Sequence, residues 1–362
     1  MKRSKTILQL FFASLAMLVL ILDNKTALSG ARQGLLLCAQ TVVPSLFPFF
    51  VISNVLSSGI TSSNFSFLSP ILRFCKMPAR AENLLLVGLM GGYPVGAKCI
   101  YDCWKRGQIS KLDAVRCLGF CSNAGPAFIF GMCAMLFSEN WVTWVLWAIH
   151  IISALLVGHW LPKNYASEFT VVMGERVSLA DTMKNSISAI LSVCGWVVMF
   201  RVIIEFIDLW FLWLLPGYCG VAIRGALELA NGCSSLASVD SEGIRFILCS
   251  AFLGLGGVCV GLQTISVAEE LGTGMYFPGK LLQGVISVCF ATVFASFHYQ
   301  IFSPAVPLAV TLSMLLLPRF KKTVAFPERL VYNKEKNWKG EFPCYSERKL
   351  QNPAVIAPVE QK

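Results

Sequence analysis

The sequence predicts an all-α polytopic membrane protein with about 8 membrane-spanning helices, re-entrant or broken segments between them, and a two-fold internal repeat. Three observations carry that prediction. Hydrophobic residues make up 56% of the chain and charged residues 14%, with a mean hydropathy of +0.65. A soluble domain keeps roughly a quarter of its residues charged to coat its surface. The apolar residues also fall in blocks such as Ile7–Leu22, Trp141–Leu161, Ile244–Ala268 and Leu281–Phe297, each close to the ~20 residues that cross a hydrocarbon core. Several other blocks are interrupted by Gly- and Pro-containing motifs, in matching places of the two halves.

Residues 1–26 read as an uncleaved first helix. The basic start Met1-Lys-Arg-Ser-Lys5 places the N-terminus in the cytoplasm. The apolar stretch behind it exceeds a signal-peptide core, and Asp23-Asn-Lys25 stands where small residues would favour cleavage. Residues 27–162 form a first repeat. Leu35–Leu56 contains Pro44 and Pro48, which force a kink or a break in a membrane helix. Thr61–Arg80 and Trp104–Arg116 are basic cytoplasmic connections on either side of Leu84–Tyr101. Cys117–Phe137 is apolar but interrupted at Ser122-Asn-Ala-Gly-Pro126, and Trp141–Leu161 spans cleanly.

Residues 163–184 are a central polar connection, and 185–318 form the second repeat. Ile187–Leu215 carries Arg201, Glu205 and Asp208; Tyr218–Val239 carries Arg224, Glu228 and Asn231; Phe246–Val267 carries Gly254-Leu-Gly-Gly257. Leu281–Phe297 spans, and Pro304–Leu317 just reaches across. The basic tail, 319–362, holds too little apolar surface to fold and is expected to be cytoplasmic and largely disordered. The repeat shows most clearly where Gly91-Gly-x-x-Val-Gly-x-Lys98 aligns without a gap on Gly256-Gly-x-x-Val-Gly-x-Gln263, four positions of eight matching.

The net charge of +10 resides in short connections and the tail, not on one basic face with interleaved aromatics, so it marks topology and no nucleic-acid partner. Most of the 14 cysteines lie inside apolar runs (Cys38, Cys133, Cys194, Cys249, Cys259, Cys289) and behave there as small hydrophobes. Cys99 with Cys103 and Cys117 with Cys121 share helix faces by their i,i+4 spacing, but no His or carboxylate completes a metal site. No CxxC, HExxH, GxSxG, P-loop or Rossmann fingerprint occurs. No enzyme, cofactor or metal is therefore expected. His150, His159 and His298 stand alone in apolar and aromatic settings and read as packing residues.

The interrupted motifs are where chemistry is expected. Gly91-Gly-Tyr-Pro-Val-Gly96 cannot continue a regular helix: its glycines lack side chains, and Pro94 removes a donor and holds Tyr93 extended. Irregular backbone at membrane depth survives only in a protein-lined or watery site, which favours a re-entrant hairpin with its tip at Gly92–Pro94 over a kinked helix. Free N–H groups at such helix ends attract anions. Asn123-Ala-Gly-Pro126 and Glu228-Leu-Ala-Asn231-Gly232 are further breaks that add polar side chains. Arg201 with Glu205 and Arg224 with Glu228 are four apart and can meet on one helix face. Ionisable residues inside a membrane mark pathways or partners.

Five of these segments together resemble a known family. They are Gly92-Tyr-Pro-Val-Gly-Ala-Lys98, Gly107-Gln-Ile-Ser110, Cys121-Ser-Asn-Ala-Gly-Pro-Ala-Phe128, Leu227-Glu-Leu-Ala-Asn-Gly232 and Leu255-Gly-Gly-Val-Cys-Val-Gly-Leu-Gln263. In order and spacing they are similar to the YlbJ-like sporulation integral membrane proteins, within the broader group that carries a nucleoside-recognition or gate domain. The resemblance covers about Leu35 to Pro318. It implies a role in endospore formation, in the cell membrane or the membrane surrounding the forespore, and movement of dipicolinic acid. It also implies substrate sites at paired re-entrant segments. The cysteine richness, the basic tail and Gly261, where the family pattern leads one to expect His, depart from it.

The expected function is a transporter or channel for a small anionic aromatic acid. Its site comprises Gly91, Gly92, Tyr93, Pro94, Gly96 and Lys98, then Asn123 and Gly125, then Arg224, Glu228 and Asn231, and finally Gly256, Gly257 and Gln263. Lys98, Arg224 or backbone N–H groups would meet carboxylates, Tyr93 would stack on a ring, and Glu228 is the candidate partner of a coupling proton or sodium ion. The lipid bilayer is the remaining partner, and a homo-oligomer is compatible with the sequence. The alternatives are a non-transporting scaffold for spore-envelope assembly and a nucleoside carrier.

Overall fold

A computed structural model describes residues 2–59, 66–163, 169–170, 178–215 and 217–316. The tail at 319–362 and parts of the connections at 61–80 and 163–184 lie outside the described residues. Among those described, every regular element is helical. In chain order these are α1 (Lys2–Leu22), α2 (Asn24–Leu37), α3 (Val43–Gly59), α4 (Ser69–Phe74), α5 (Glu82–Met90), α6 (Val95–Lys105), α7 (Lys111–Leu118), α8 (Pro126–Phe128) and α9 (Asn140–Trp160). The second half holds α10 (Leu179–Trp210), α11 (Gly217–Leu227), α12 (Leu229–Ser235), α13 (Glu242–Leu255), α14 (Gly257–Val267), α15 (Tyr276–His298) and α16 (Ala305–Leu316).

Five stretches are long and apolar enough to cross a membrane: Asn24–Ile52, Asn140–Trp160, Leu179–Trp210, Glu242–Val267 and Tyr276–His298. Three shorter apolar helices, Ile7–Leu22, Pro126–Leu136 and Ala305–Leu315, accompany them. The protein is a multi-pass, all-helical membrane protein. Large apolar side chains such as Leu191, Trp144, Leu281 and Val310 point outward from these helices. That suits hydrocarbon, which solvates Leu as readily as a protein core does.

Of the kink or break expected at the prolines of the first long stretch, the break does not occur. The stretch begins at Asn24, earlier than Leu35, and Pro44 and Pro48 do not break it. A π-helical turn, Cys38–Val42, precedes Pro44 and admits the extra residue, and α3 then continues through Pro48. Such single turns relieve the lost N–H and the ring clash without ending the helix. The Ser45 hydroxyl adds a bond to the Thr41 carbonyl at 2.6 Å.

Glycine fixes how the interrupted segments fold. α5 and α6 lie back to back as a hairpin, and a Cβ on Gly96 would come within 3.2 Å of Gly88 Cα. The unwound strand after α7 threads across this pair, so that a Cβ at Gly88 or Gly96 would strike the Cys121 carbonyl at 2.3 or 2.6 Å. In the second half α11 and α12 form the hairpin, folded at Glu228 so tightly that a Gly232 Cβ would lie 2.2 Å from Gly225 Cα. Gly256 and Gly257 instead turn α13 into α14 through an open corner, both at positive φ (76° and 77°), a region that glycine enters without strain. The two Gly-Gly motifs thus have different shapes: the first is a hairpin tip, the second a corner. In each half the order of element kinds is a span, a hairpin, a broken helix and a span, with α4 intervening in the first.

Candidate functional site

Both hairpin tips and both broken helices converge on one cavity. Gly92 and Tyr93 enter it from the α5–α6 tip, and Ala124, Gly125 and Phe128 from the break ahead of α8. Glu228, Leu229 and Ala230 come from the α11–α12 tip, and Val260 and Gln263 from α14. Val42, Leu46, Val193 and Val197 complete the wall from the two long spans. The space amounts to about 450 Å³, counting its open mouth. Three breaks in regular helix, at Gly92–Tyr93, Ala124–Gly125 and Glu228, meet there with one face of helix α14, inside a bundle whose other walls are largely aliphatic.

Its polar groups are few and differ in how they are held. Glu228 is buried and caps α12, with Oε1 accepting from Ala230 N at 3.0 Å. Oε2 accepts from Asn231 N at 2.6 Å and Asn231 Nδ2 at 2.7 Å. A carboxylate at a helix start satisfies otherwise orphaned N–H groups and meets the positive end of the helix dipole. Gln263 faces the cavity and donates to Cys259 Sγ at 3.4 Å. Tyr93 contributes its ring, and its buried hydroxyl has no hydrogen-bond partner among the described residues.

Of the residues assigned from sequence, Gly92, Tyr93, Gly125, Glu228 and Gln263 line this cavity, and Asn231 joins it through Glu228. Gly91 ends α5, Pro94 precedes α6 and Gly96 packs on backbone, so these three shape the tip without facing the space. Gly256 and Gly257 likewise form a corner beside it: a Cβ on Gly256 would come within 3.1 Å of Tyr93 Oη. Lys98 is exposed on α6, away from the lining. The expected Arg224–Glu228 pair does not form. Glu228 leaves the helix to cap the next one, so i,i+4 spacing no longer brings the two together, and Arg224 binds Asp208 at 3.0 Å. Arg201 and Glu205, on uninterrupted α10, do pair at 2.6 Å.

The sequence reading missed two features. One is Lys280 on α15, which is buried, 2% exposed. Its Nζ donates to Asn123 Oδ1 at 2.9 Å and Gln283 Oε1 at 2.8 Å and lies 5.3 Å from the centroid of the Tyr93 ring. Lys280 stands one residue before the apolar run Leu281–Phe297, where a lysine reads as an interfacial flank. The other is a cluster of buried thiols. Cys133, Cys233 and Cys249 come from three elements and bring their sulfurs within 4.8 Å of one another. No local spacing announces a cluster assembled by tertiary contacts.

Comparison with known proteins gives a relative that bears the name of the family the five motifs resemble. The chain is 25% identical to the sporulation integral membrane protein YlbJ of Bacillus subtilis (strain 168), over 74% of this chain and 77% of the relative's length. No family model matches the chain, and no solved structure does.

Proposed function

We propose that the protein moves a small anionic aromatic acid of the dipicolinate kind across a membrane during endospore formation. The meeting of both hairpin tips and both broken helices at one cavity carries this reading. Broken segments from two halves enclosing a midplane site are the usual architecture of carriers whose halves rock against each other, and the recurring order of element kinds supplies two such halves. The aliphatic wall and the Tyr93 ring suit a flat aromatic body. The membrane role in sporulation rests on the relative's name, and the substrate class on the lining and the resemblance.

Glu228 sets a condition on that reading. It is the charged side chain in the lining, so an acid enters beside a carboxylate. In a medium that solvates charge poorly this repulsion must be offset. A proton or a sodium ion travelling with the substrate offsets it, which makes Glu228 the coupling residue of this proposal.

Uptake of labelled dipicolinate into proteoliposomes tests the proposal, under imposed proton or sodium gradients. Saturable uptake is expected in the wild type. It is expected to fall at least tenfold in Val193→Trp, which fills the cavity from α10, provided that variant elutes as folded protein. Gln263→Leu keeps the space, removes a polar contact and is expected to raise KM more than it lowers kcat. Absence of uptake above empty liposomes under every gradient would transfer the function to the scaffold reading. Competition by nucleosides would favour the nucleoside carrier.

A further inference from the structure

We infer that Lys280 is the anion-binding group of this cavity, a preorganised subsite for a carboxylate lying behind the Tyr93 ring. The inference rests on the reading that an organic acid occupies the cavity, and it names the residue that receives the acid's charge. Lys280 is buried in a membrane-spanning helix, and no carboxylate of the described residues lies within 4.0 Å of it. A buried ammonium without a counter-ion is costly, and such residues in membrane helices by default serve a pathway or a ligand. Arg201 and Arg224 pair with acids and buried Arg116 is ringed by the carbonyls of Cys75, Lys76 and Gly158, whereas Lys280 has two side-chain amide oxygens as its acceptors.

Its surroundings orient it without neutralising it. Asn123 spends its amide hydrogens on Phe120 O at 2.6 Å and Gly88 O at 3.4 Å, which turns its Oδ1 toward Lys280. Gln283 is held the same way by the His150 carbonyl at 3.4 Å, which leaves its Oε1 for the ammonium. Two anchored amide oxygens take two of the three N–H donors. The Tyr93 ring covers the ammonium at cation–π distance. That ring also lines the cavity, so Tyr93 partitions the cavity from the charge. Its hydroxyl has no hydrogen bond to break when the ring swings aside. A carboxylate would then accept the free N–H and form a charge-assisted bond in a dry site, where such bonds are strong.

The test uses the purified full chain in detergent, with benzoate and dipicolinate against uncharged benzamide, read as ligand-induced shifts in melting temperature and as dissociation constants. The wild type is expected to bind the acids better than the amide. In Lys280→Gln, which keeps an N–H donor for Asn123 or Gln283 but no charge, acid affinity is expected to fall roughly tenfold or more with benzamide unchanged. Lys280→Arg, which keeps the charge, is expected to restore the preference for acids in part. A structural lysine would instead move the ligand-free melting temperature and leave acid-over-amide selectivity intact, which overturns the inference, as does a wild type that binds no carboxylate. Dipicolinate uptake unchanged in Lys280→Gln would sink the subsite and leave transport standing. Lys280-dependent benzoate binding without dipicolinate uptake would do the reverse.

Discussion

Replacing Gly232 by Ala is expected to cost the protein its second hairpin, with a loss of about 3 kcal/mol or more. Helix propensity alone gives the opposite sign, since Ala stabilises a helix interior over Gly by roughly 0.5–1 kcal/mol. Packing decides the matter. A Cβ on Gly232 would lie 2.2 Å from Gly225 Cα and 2.8 Å from Gly225 N. That neighbour is backbone and cannot rotate away, so α11 and α12 must separate. Their tip carries Glu228, Leu229 and Ala230 into the cavity, and the site opens with them. At Gly195 and Gly217 an added Cβ would meet nothing within 4 Å, so these two positions serve as matched controls. Thermal stability followed by size-exclusion elution should fall sharply for Gly232→Ala and hold or rise slightly for Gly195→Ala. Equal melting of the two variants would show that the hairpin is not closed as described.

Position-by-position chemistry made part of this site legible. Gly91 to Pro94, Asn123 to Pro126 and Glu228 to Asn231 each break local helix rules, and real chains break such rules chiefly where function or strain requires it. Those breaks are the segments that converge. What stayed hidden depends on partners distant in sequence. Lys280 at the head of an apolar run looks like an interfacial anchor until Asn123, 157 residues away, proves to be its acceptor. Arg224 and Glu228 match the helix pairing rule in spacing, yet that rule presupposes an unbroken helix, and Glu228 is where the helix stops. The Gly-Gly motifs carry the same letters but fold as a hairpin and a corner. The backbone around them sets the shape: α6 turns back on α5 beneath the strand at Cys121, whereas α14 runs on past α13 against Gly225 and Leu227.

Glu228→Gln then separates the two roles that geometry gives this carboxylate. As a cap, Glu228 offers two acceptor oxygens to three N–H groups. Gln offers one oxygen and turns an NH2 toward a donor. A buried N–H of Ala230 or Asn231 is left unpaired, at about 1–3 kcal/mol. The variant is therefore expected to melt earlier but still to fold, because the remaining oxygen keeps part of the cap. As the coupling group, Glu228 must bind and release a cation during each cycle, and an amide does neither. Any uptake that survives in Glu228→Gln proteoliposomes should no longer respond to an imposed proton or sodium gradient, whereas the wild type should accelerate. Loss of stability with the gradient response intact would reduce Glu228 to a cap and send the search for coupling elsewhere in the cavity. The response vanishing in a variant that still transports would assign the coupling to this side chain, because the cap defect alone changes how many molecules are folded and not how a folded one senses the gradient.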